Sequence, residues 1–313
     1  MKNVIACLAL VALFIGSELQ AQDAAKPAVR TWKDSTGQFS IQATFVRLNA
    51  DQVVLQRPNK KEISLPLAKL SKADRQYVKQ LTTPKPIDKN EQEAISVLEK
   101  LGAAVKKDSN GHVIDVSFFK NKQLADADLK HLKHLKHLTS LTFRSSPLTG
   151  VGLEHLKGID TLKNLDLGST KIKDADLRHL QGLKRLEKIN LMNNKGNITD
   201  AAMIHLQGLS SLKKLSLADT VVGDAGVLQL QTLPALEDLD LRGTNITNTG
   251  LRHLQGIKNL KYILLWSTKI SDAGLAHLKG IKKLRVVSLK FTPVSDAAVT
   301  ELRQALPNSR IEQ

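Results

Sequence analysis

LKNLDLGSTKIKDADLRHLQGLKR, residues 162–185, changes its apolar period halfway along, and that change dictates the fold. Leu165-Asp166-Leu167 alternates as a strand does, whereas Leu177, Leu180 and Leu183 recur every third residue, as along one face of a helical turn. The stretch then repeats. Aligned on the first leucine, copies begin at Leu138, Leu162, Leu186, Leu212, Leu236, Leu260 and Leu284, spaced 24, 24, 26, 24, 24 and 24 residues apart, with an atypical copy at Val113. The two extra residues fall within Asn193-Asn194-Lys195-Gly196-Asn197. One strand and one helical segment cannot bury these leucines alone, so successive copies must stack. The prediction is an α/β right-handed solenoid over residues 113–313, with a parallel sheet inside and helices outside.

Both ends of such a stack need covers. Ala94, Ile95, Leu98 and Leu101 form a helical stripe that stops at Gly102, and Asn110-Gly111 suits a hairpin into the first strand, so residues 90–112 read as an N-terminal cap. Leu302, Leu306 and Ile311 read as a truncated last copy. Inside each copy, Asn121, Ser146, Thr170, Asn194, Thr220, Thr244, Thr268 and Thr292 stand where the chain leaves the strand, and each can hydrogen-bond. A ladder of these side chains is expected to satisfy inward backbone groups that burial would otherwise penalise by roughly 1–3 kcal/mol each. Asp174, Asp200, Asp224, Asp272 and Asp296 precede the helical halves and are expected to cap them. His131, His155, His179, His205, His253 and His277 share one position in six copies, which points to packing or surface hydrogen bonding and not to catalysis. His131, His134 and His137 are close in sequence, but spacings of three run around a helix, and no metal or other cofactor is expected.

Upstream the pattern differs. Residues 39–46, 52–55 and 62–67 alternate with period two between turn residues, predicting a small antiparallel sheet over residues 30–81, and Ser71 is placed to cap a closing helix that carries Tyr77, Val78 and Leu81. Residues 82–89, with Pro84 and Pro86, read as a stiff linker, and residues 22–29 as a polar tether. Residues 1–21 have the marks of a secretory signal: Lys2, an apolar run of 12 residues, and Ala21 at the cleavage point. Twelve residues span about 18 Å as a helix, short of a hydrocarbon layer of about 30 Å, so no stable membrane span is expected. Export to the periplasm, cell envelope or medium is the expectation.

Composition narrows the chemistry. Cys7 is the single cysteine of the 313 residues and lies in that leader, which removes disulfide staples, thiol nucleophiles and cysteine metal sites from the mature chain. Leucine supplies 51 residues while aromatics make up 4%, as many similar small layers require. The formal charge of +16 admits an anionic polymer as ligand. It is divided between residues 22–89, with 13 basic and 6 acidic residues, and residues 90–313, with 32 and 23. Aromatics are not interleaved with the basic residues as base stacking requires. H-E-x-x-H, G-x-S-x-G, G-K-[ST] and G-x-G-x-x-G are all absent, so an enzyme is not expected.

Two resemblances follow from these residues. The repeat, with Thr170, Ile172 and Asp174 in its T-x-I-x-D turn, resembles the strand-helix subtype of the leucine-rich repeat family. Trp32, Gly37, Phe39, Ala43, Phe45, Val53, Leu55, Pro66, Leu67, Leu70, Ser71, Asp74 and Tyr77 resemble the first Sla-homology domain, an SH3-like module. The first resemblance implies protein recognition on the concave face. The second implies a small barrel that takes short peptides with Asn-Pro-Phe and an acidic residue. Similar repeats occur in F-box substrate receptors, but this chain has no F-box.

The third, fifth and seventh positions of each strand face the concave side. They are polar or small in most copies, as in Asn164, Asp166 and Gly168, but read Tyr262, Leu264 and Trp266 in one. Val286, Lys290 and Phe291 extend this apolar patch, with Arg242 and Asp240 at its edge. Large apolar groups on a solvated face mark contact surfaces. The expectation is a non-catalytic exported adaptor that binds a protein or peptide here. The alternatives are a polyanion ligand for the basic chain, or packing of the patch against the first domain or a second copy.

Overall fold

The computed structural model describes residues 28–82 and 87–313; the leader, most of the tether and part of the linker lie outside the described residues. The chain divides into two units, Met1–Pro84 and Lys85–Gln313.

In the first unit, β1 (Arg30–Lys33), β2 (Ser40–Asn49), β3 (Gln52–Gln56) and β4 (Glu62–Pro66) form an antiparallel sheet in sequence order, followed by a short turn of 3-10 helix and α1 (Lys72–Thr82). A bulge between Phe45 and Arg47 bends β2. The sheet closes on itself where Ser71 N–H donates to Lys33 O at 2.9 Å and Ser35 N–H to Lys69 O at 2.8 Å. Trp32, Phe45, Val53, Leu55, Leu70 and Val78 fill the interior, and the Trp32 indole donates to Ala43 O at 2.9 Å. Buried Asp74 accepts from Arg30, the Lys33 N–H and the Ser71 hydroxyl, each at 2.8 Å, so one carboxylate ties α1 to β1. Ser71 caps α1 as expected. Phe39 and Leu81 differ from the alternation reading: both are exposed.

In the second unit, α2 (Lys89–Lys100) and the hairpin of β5 (Ala104–Lys107) with β6 (Val113–Ser117) cover the first layer. Buried Glu91 locks this cap, accepting from Val113 N–H at 3.0 Å and meeting His112 Nδ1 at 3.0 Å. From β6 the sheet is parallel through β7 (Ser140–Thr142), β8 (Asn164–Asp166), β9 (Lys188–Asn190), β10 (Lys214–Ser216), β11 (Asp238–Asp240), β12 (Tyr262–Leu264), β13 (Val286–Ser288) and β14 (Arg310–Glu312). One leucine-dominated core runs the length of the stack, and each layer contributes its strand and helical leucines to it. The repeated histidines are half-buried along the helical side, and the described residues hold no cluster of three or more groups suited to a metal.

The column from Asn121 to Thr292 satisfies backbone carbonyls as expected, each side chain donating to one. The threonine column bonds mainly within its own turn: Thr220 Oγ1 donates to Leu217 O and Thr244 Oγ1 to Leu241 O, each at 2.6 Å. The two asparagines reach further: Asn194 donates to Leu167 O of the preceding layer as well as Leu191 O, and Asn121 donates to Leu101 O of the cap.

The rungs between layers are instead the aspartates expected to cap their own helices. Asp174 accepts from the N–H and hydroxyl of Thr199, Asp224 from those of Thr247 and Asp272 from those of Ser295, one layer on. Asp126 does the same for Thr149, Asp200 takes the Gly223 N–H, and Asn248 serves Ser271. Lys173 follows the layer with Gly150 in place of aspartate, and Ala125 heads the first layer. Their N–H groups are taken by Asp176 at 2.7 Å and Asp128 at 3.0 Å from within the same turn.

The latch also brings a carboxylate close to the next turn, where several layers carry glycine. A Cβ at Gly250 would lie 2.5 Å from Asp224 Oδ1, and one at Gly226 2.5 Å from Asp200 Oδ1. Layers with such a glycine open as α-helix (Asp224–Gln229, Asn248–Leu254, Asp272–Leu278), and so does the last, Asp296–Ala305, with Ala298 there, whereas Asp126–His134, Asp174–Leu180 and Asp200–Leu206 run as 3-10 helix. Leucines spaced by three suit either form.

Asp224→Ala removes two bonds that join layers and is expected to lower stability by about 1–2 kcal/mol in urea unfolding. Asp224→Asn should retain most of it, because Asn248 already joins its layers with two bonds, accepting the Ser271 N–H and donating its amide to the Ser271 hydroxyl.

Candidate partner-binding face

Parallel pairing in register stacks the inward positions into columns, so Asp238, Tyr262 and Val286 are neighbours, as are Asp240, Leu264 and Ser288. Trp266 follows β12. Its ring lies between two cations from adjacent layers, the Arg242 guanidinium at 5.6 Å and the Lys290 ammonium at 5.1 Å. Its indole N–H donates to the buried Ser288 hydroxyl, which donates in turn to Glu312 at 3.3 Å. Arg242 is fixed by a two-point pair with Asp240 at 2.8 and 2.7 Å, and Asp240 also accepts from Ser216 at 2.9 Å. One polar chain therefore runs from Ser216 through Asp240, Arg242 and Trp266 to Ser288 and Glu312.

The structure brings Asp240, Arg242, Trp266 and Lys290 together and places Tyr262, 40% exposed, and half-buried Leu264 on the same wall. Asp240 is corrected from contact residue to support: at 1% exposure it offers no surface of its own. In the polar layers the fifth position accepts the N–H of the seventh, as Asp166 does for Gly168, Asn190 for Met192 and Asp240 for Arg242. Leu264 supplies no such acceptor, so in its layer contact area has replaced a turn-stabilising bond. Phe291 stands at the turn beyond, 82% exposed and at φ 56°. Sequence reasoning missed Ser288, whose role depends on the layer before it. It also missed Phe119, an exposed aromatic in the first layer, because the columns were read only from Asn164 onward.

The inner wall is nearly neutral. Arg144, Lys188, Lys214, Arg242, Lys290 and Arg310 face Asp115, Asp166, Asp238, Asp240 and Glu312, six against five, while the chain carries +16. Lys214 meets Asp238 at 3.1 Å and Arg310 meets Glu312 at 2.9 Å. Burial raises the carboxyls of Asp166 and Asp238 above the ordinary range, against the smaller opposing effects of the Gly168 N–H on the first and Lys214 on the second. Burial, with Lys214 beside it, pulls Lys188 down.

A carboxyl raised on folding loses stability as pH climbs through its folded pKa. Asp166→Asn is therefore expected to raise the melting temperature at pH 7 by a degree or more, with Asn190 already showing the geometry an amide adopts there. The gain should fade as pH falls through about 4 and be largely gone at about pH 3, where the carboxyl is mostly neutral in both states. A gain that persists at pH 3 would contradict this assignment.

Residues 20–85 match the family model for SLA1 homology domain 1, and residues 136–195 and 233–254 match leucine-rich repeat models. The first unit is similar to the actin cytoskeleton-regulatory complex protein sla1 of Schizosaccharomyces pombe, 38% identical over 63 residues, which is 20% of this chain and 4% of that protein. The counterpart of Sclerotinia sclerotiorum is 32% identical over 83 residues, 26% of this chain and 7% of that protein. The chain thus spans less than a tenth of these relatives. An internalin C2 from Listeria monocytogenes shares the solenoid at a TM-score of 0.50 and 20% identity, covering 74% of this chain and 98% of its own.

Proposed function

We propose that this chain, an SLA1 homology domain 1 followed by leucine-rich repeats, is a non-catalytic exported adaptor that holds a protein partner on the inner wall of its last layers. Both kinds of module suggest protein binding. The observation that carries the reading further is the β12 layer, where Tyr262, Leu264 and Trp266 make all three inward positions large and apolar, and Leu264 stands where the other layers carry polar residues. A tryptophan clamped between two cations and hydrogen-bonded to a buried serine is pre-organised, so little side-chain freedom is lost on binding. Export rests on residues 1–21 alone.

The first unit is proposed to hold a second, peptide ligand, as its resemblance implies. Trp32 is 1% exposed and packs 5.8 Å from Tyr77, so the tryptophan serves the core. Any peptide must meet other side chains, and Phe39, 72% exposed, is the most exposed large apolar side chain among the described residues of this unit. A polyanion is the weaker alternative, because the wall that varies between layers carries almost none of the excess positive charge.

Trp266→Ala is expected to leave the melting temperature within a few degrees of wild type and to weaken partner capture by about 2 kcal/mol or more, roughly thirtyfold. Capture from extracts of the source cells, by wild type and variant in parallel, measures this; equal recovery rejects the proposal. Binding that survives high salt supports the apolar wall, whereas a steep fall with salt supports the polyanion.

A further inference from the structure

One turn position is left-handed in every repeat layer. Lys120, Ser145, Ser169, Asn193, Asp219, Gly243, Ser267 and Phe291 all have positive φ, and only the last is large and apolar. A bulky side chain is disfavoured there, where asparagine, aspartate and glycine are tolerated. At 82% exposure Phe291 gives nothing to the core in return. Strain and exposure together, unexplained by the fold, point to a contact made outside the chain.

Its neighbours define the chemistry. Lys214, Arg242 and Arg310 each meet a carboxylate, at 3.1, 2.7 and 2.9 Å. Lys290 lies over the Trp266 ring instead and is in no ion pair among the described residues. On the same wall, along the strand that leads to Trp266, stand exposed Tyr262 and half-buried Leu264. The surface thus offers one unmatched cation among apolar groups. A second copy of a chain carrying +16 would be repelled, and a polymer of anions would find a single cation where it needs several.

We propose that Phe291, Lys290, Tyr262 and Leu264 dock a polypeptide segment that carries a carboxylate between apolar side chains, with the carboxylate on Lys290 and an apolar side chain on Phe291. The proposal rests on the inner-wall reading above and names the partner's chemistry.

The test uses the full chain and fluorescein-labelled twelve-residue probes: alternating Glu-Leu, alternating Gln-Leu and all-Glu. Fluorescence anisotropy should show Glu-Leu binding at least tenfold tighter than either other probe. Phe291→Asn, which installs the residue already at Asn193, should raise the melting temperature and weaken Glu-Leu binding at least tenfold. Lys290→Gln should erase the preference for Glu-Leu over Gln-Leu. Failure of Glu-Leu to bind, equal binding of all-Glu, unchanged binding by Phe291→Asn, or a lowered melting temperature in that variant would each overturn the proposal. So would sedimentation showing a dimer that Phe291→Asn dissolves. If Trp266→Ala loses its captured partner while Phe291→Asn and Lys290→Gln capture it as wild type does, the inner wall still binds protein and only this assignment falls.

Discussion

Each helical segment of the stack begins with a backbone N–H that no helix of its own can satisfy, and the rest of the architecture turns on how that donor is met. From Thr149 to Ser295 the acceptor is mostly an aspartate or asparagine of the preceding layer. The bond therefore exists only when two layers are stacked in register. Leucine burial supplies the larger, non-directional driving force, but it tolerates a sliding contact. The carboxylate does not, because it must meet one N–H and usually one hydroxyl. At Lys173, where Gly150 interrupts the column, the donor is met from within the turn by Asp176, which shows how strongly the fold requires the group to be paired.

The constraint leaves few positions free. Leucines occupy the interior, the threonine column ties each turn to its strand end, and the aspartates stitch the helical side. On the inner wall the third, fifth and seventh positions and the left-handed turn can change with little loss to the stack. The large departures gather there, at Tyr262, Leu264, Trp266 and Phe291. The same wall shows how contact surface is held still: Asp240 is hidden and serves Arg242, Arg242 and Lys290 flank Trp266, and Ser288 receives its indole N–H. A surface fixed in this way by its neighbours is suited to selective binding.

Much of this was legible in the residue pattern, because a period is a one-dimensional signal. The strand and helical halves, the caps at Gly102 and Gly111, and the small sheet before them follow from alternation, spacing and turn residues. What the pattern hid is what depends on adjacency between layers. Asp224 reads as a cap for its own helix, and only the stack shows its oxygens 2.8 and 2.6 Å from Thr247. The close approach of one layer's carboxylate to Gly226 and Gly250 of the next likewise shows only in the stack. Asp240 looks like an edge residue until Ser216 and Arg242 cover it, and Phe291 looks like an extension of a strand until its φ places it in the turn. β1 escaped because Arg30–Lys33 is too short to show a period.

The central claim is that the inner wall of the last layers, and not the basic remainder of the surface, meets the partner. Covalent footprinting of the full chain in an extract of the cells that make it, compared with the purified chain, tests this most directly. The account requires protection at Tyr262, Trp266 and Phe291, with Lys258, Lys282 and Lys283 labelled as in the purified protein. Protection confined to those lysines, with the three aromatics unchanged, would contradict it.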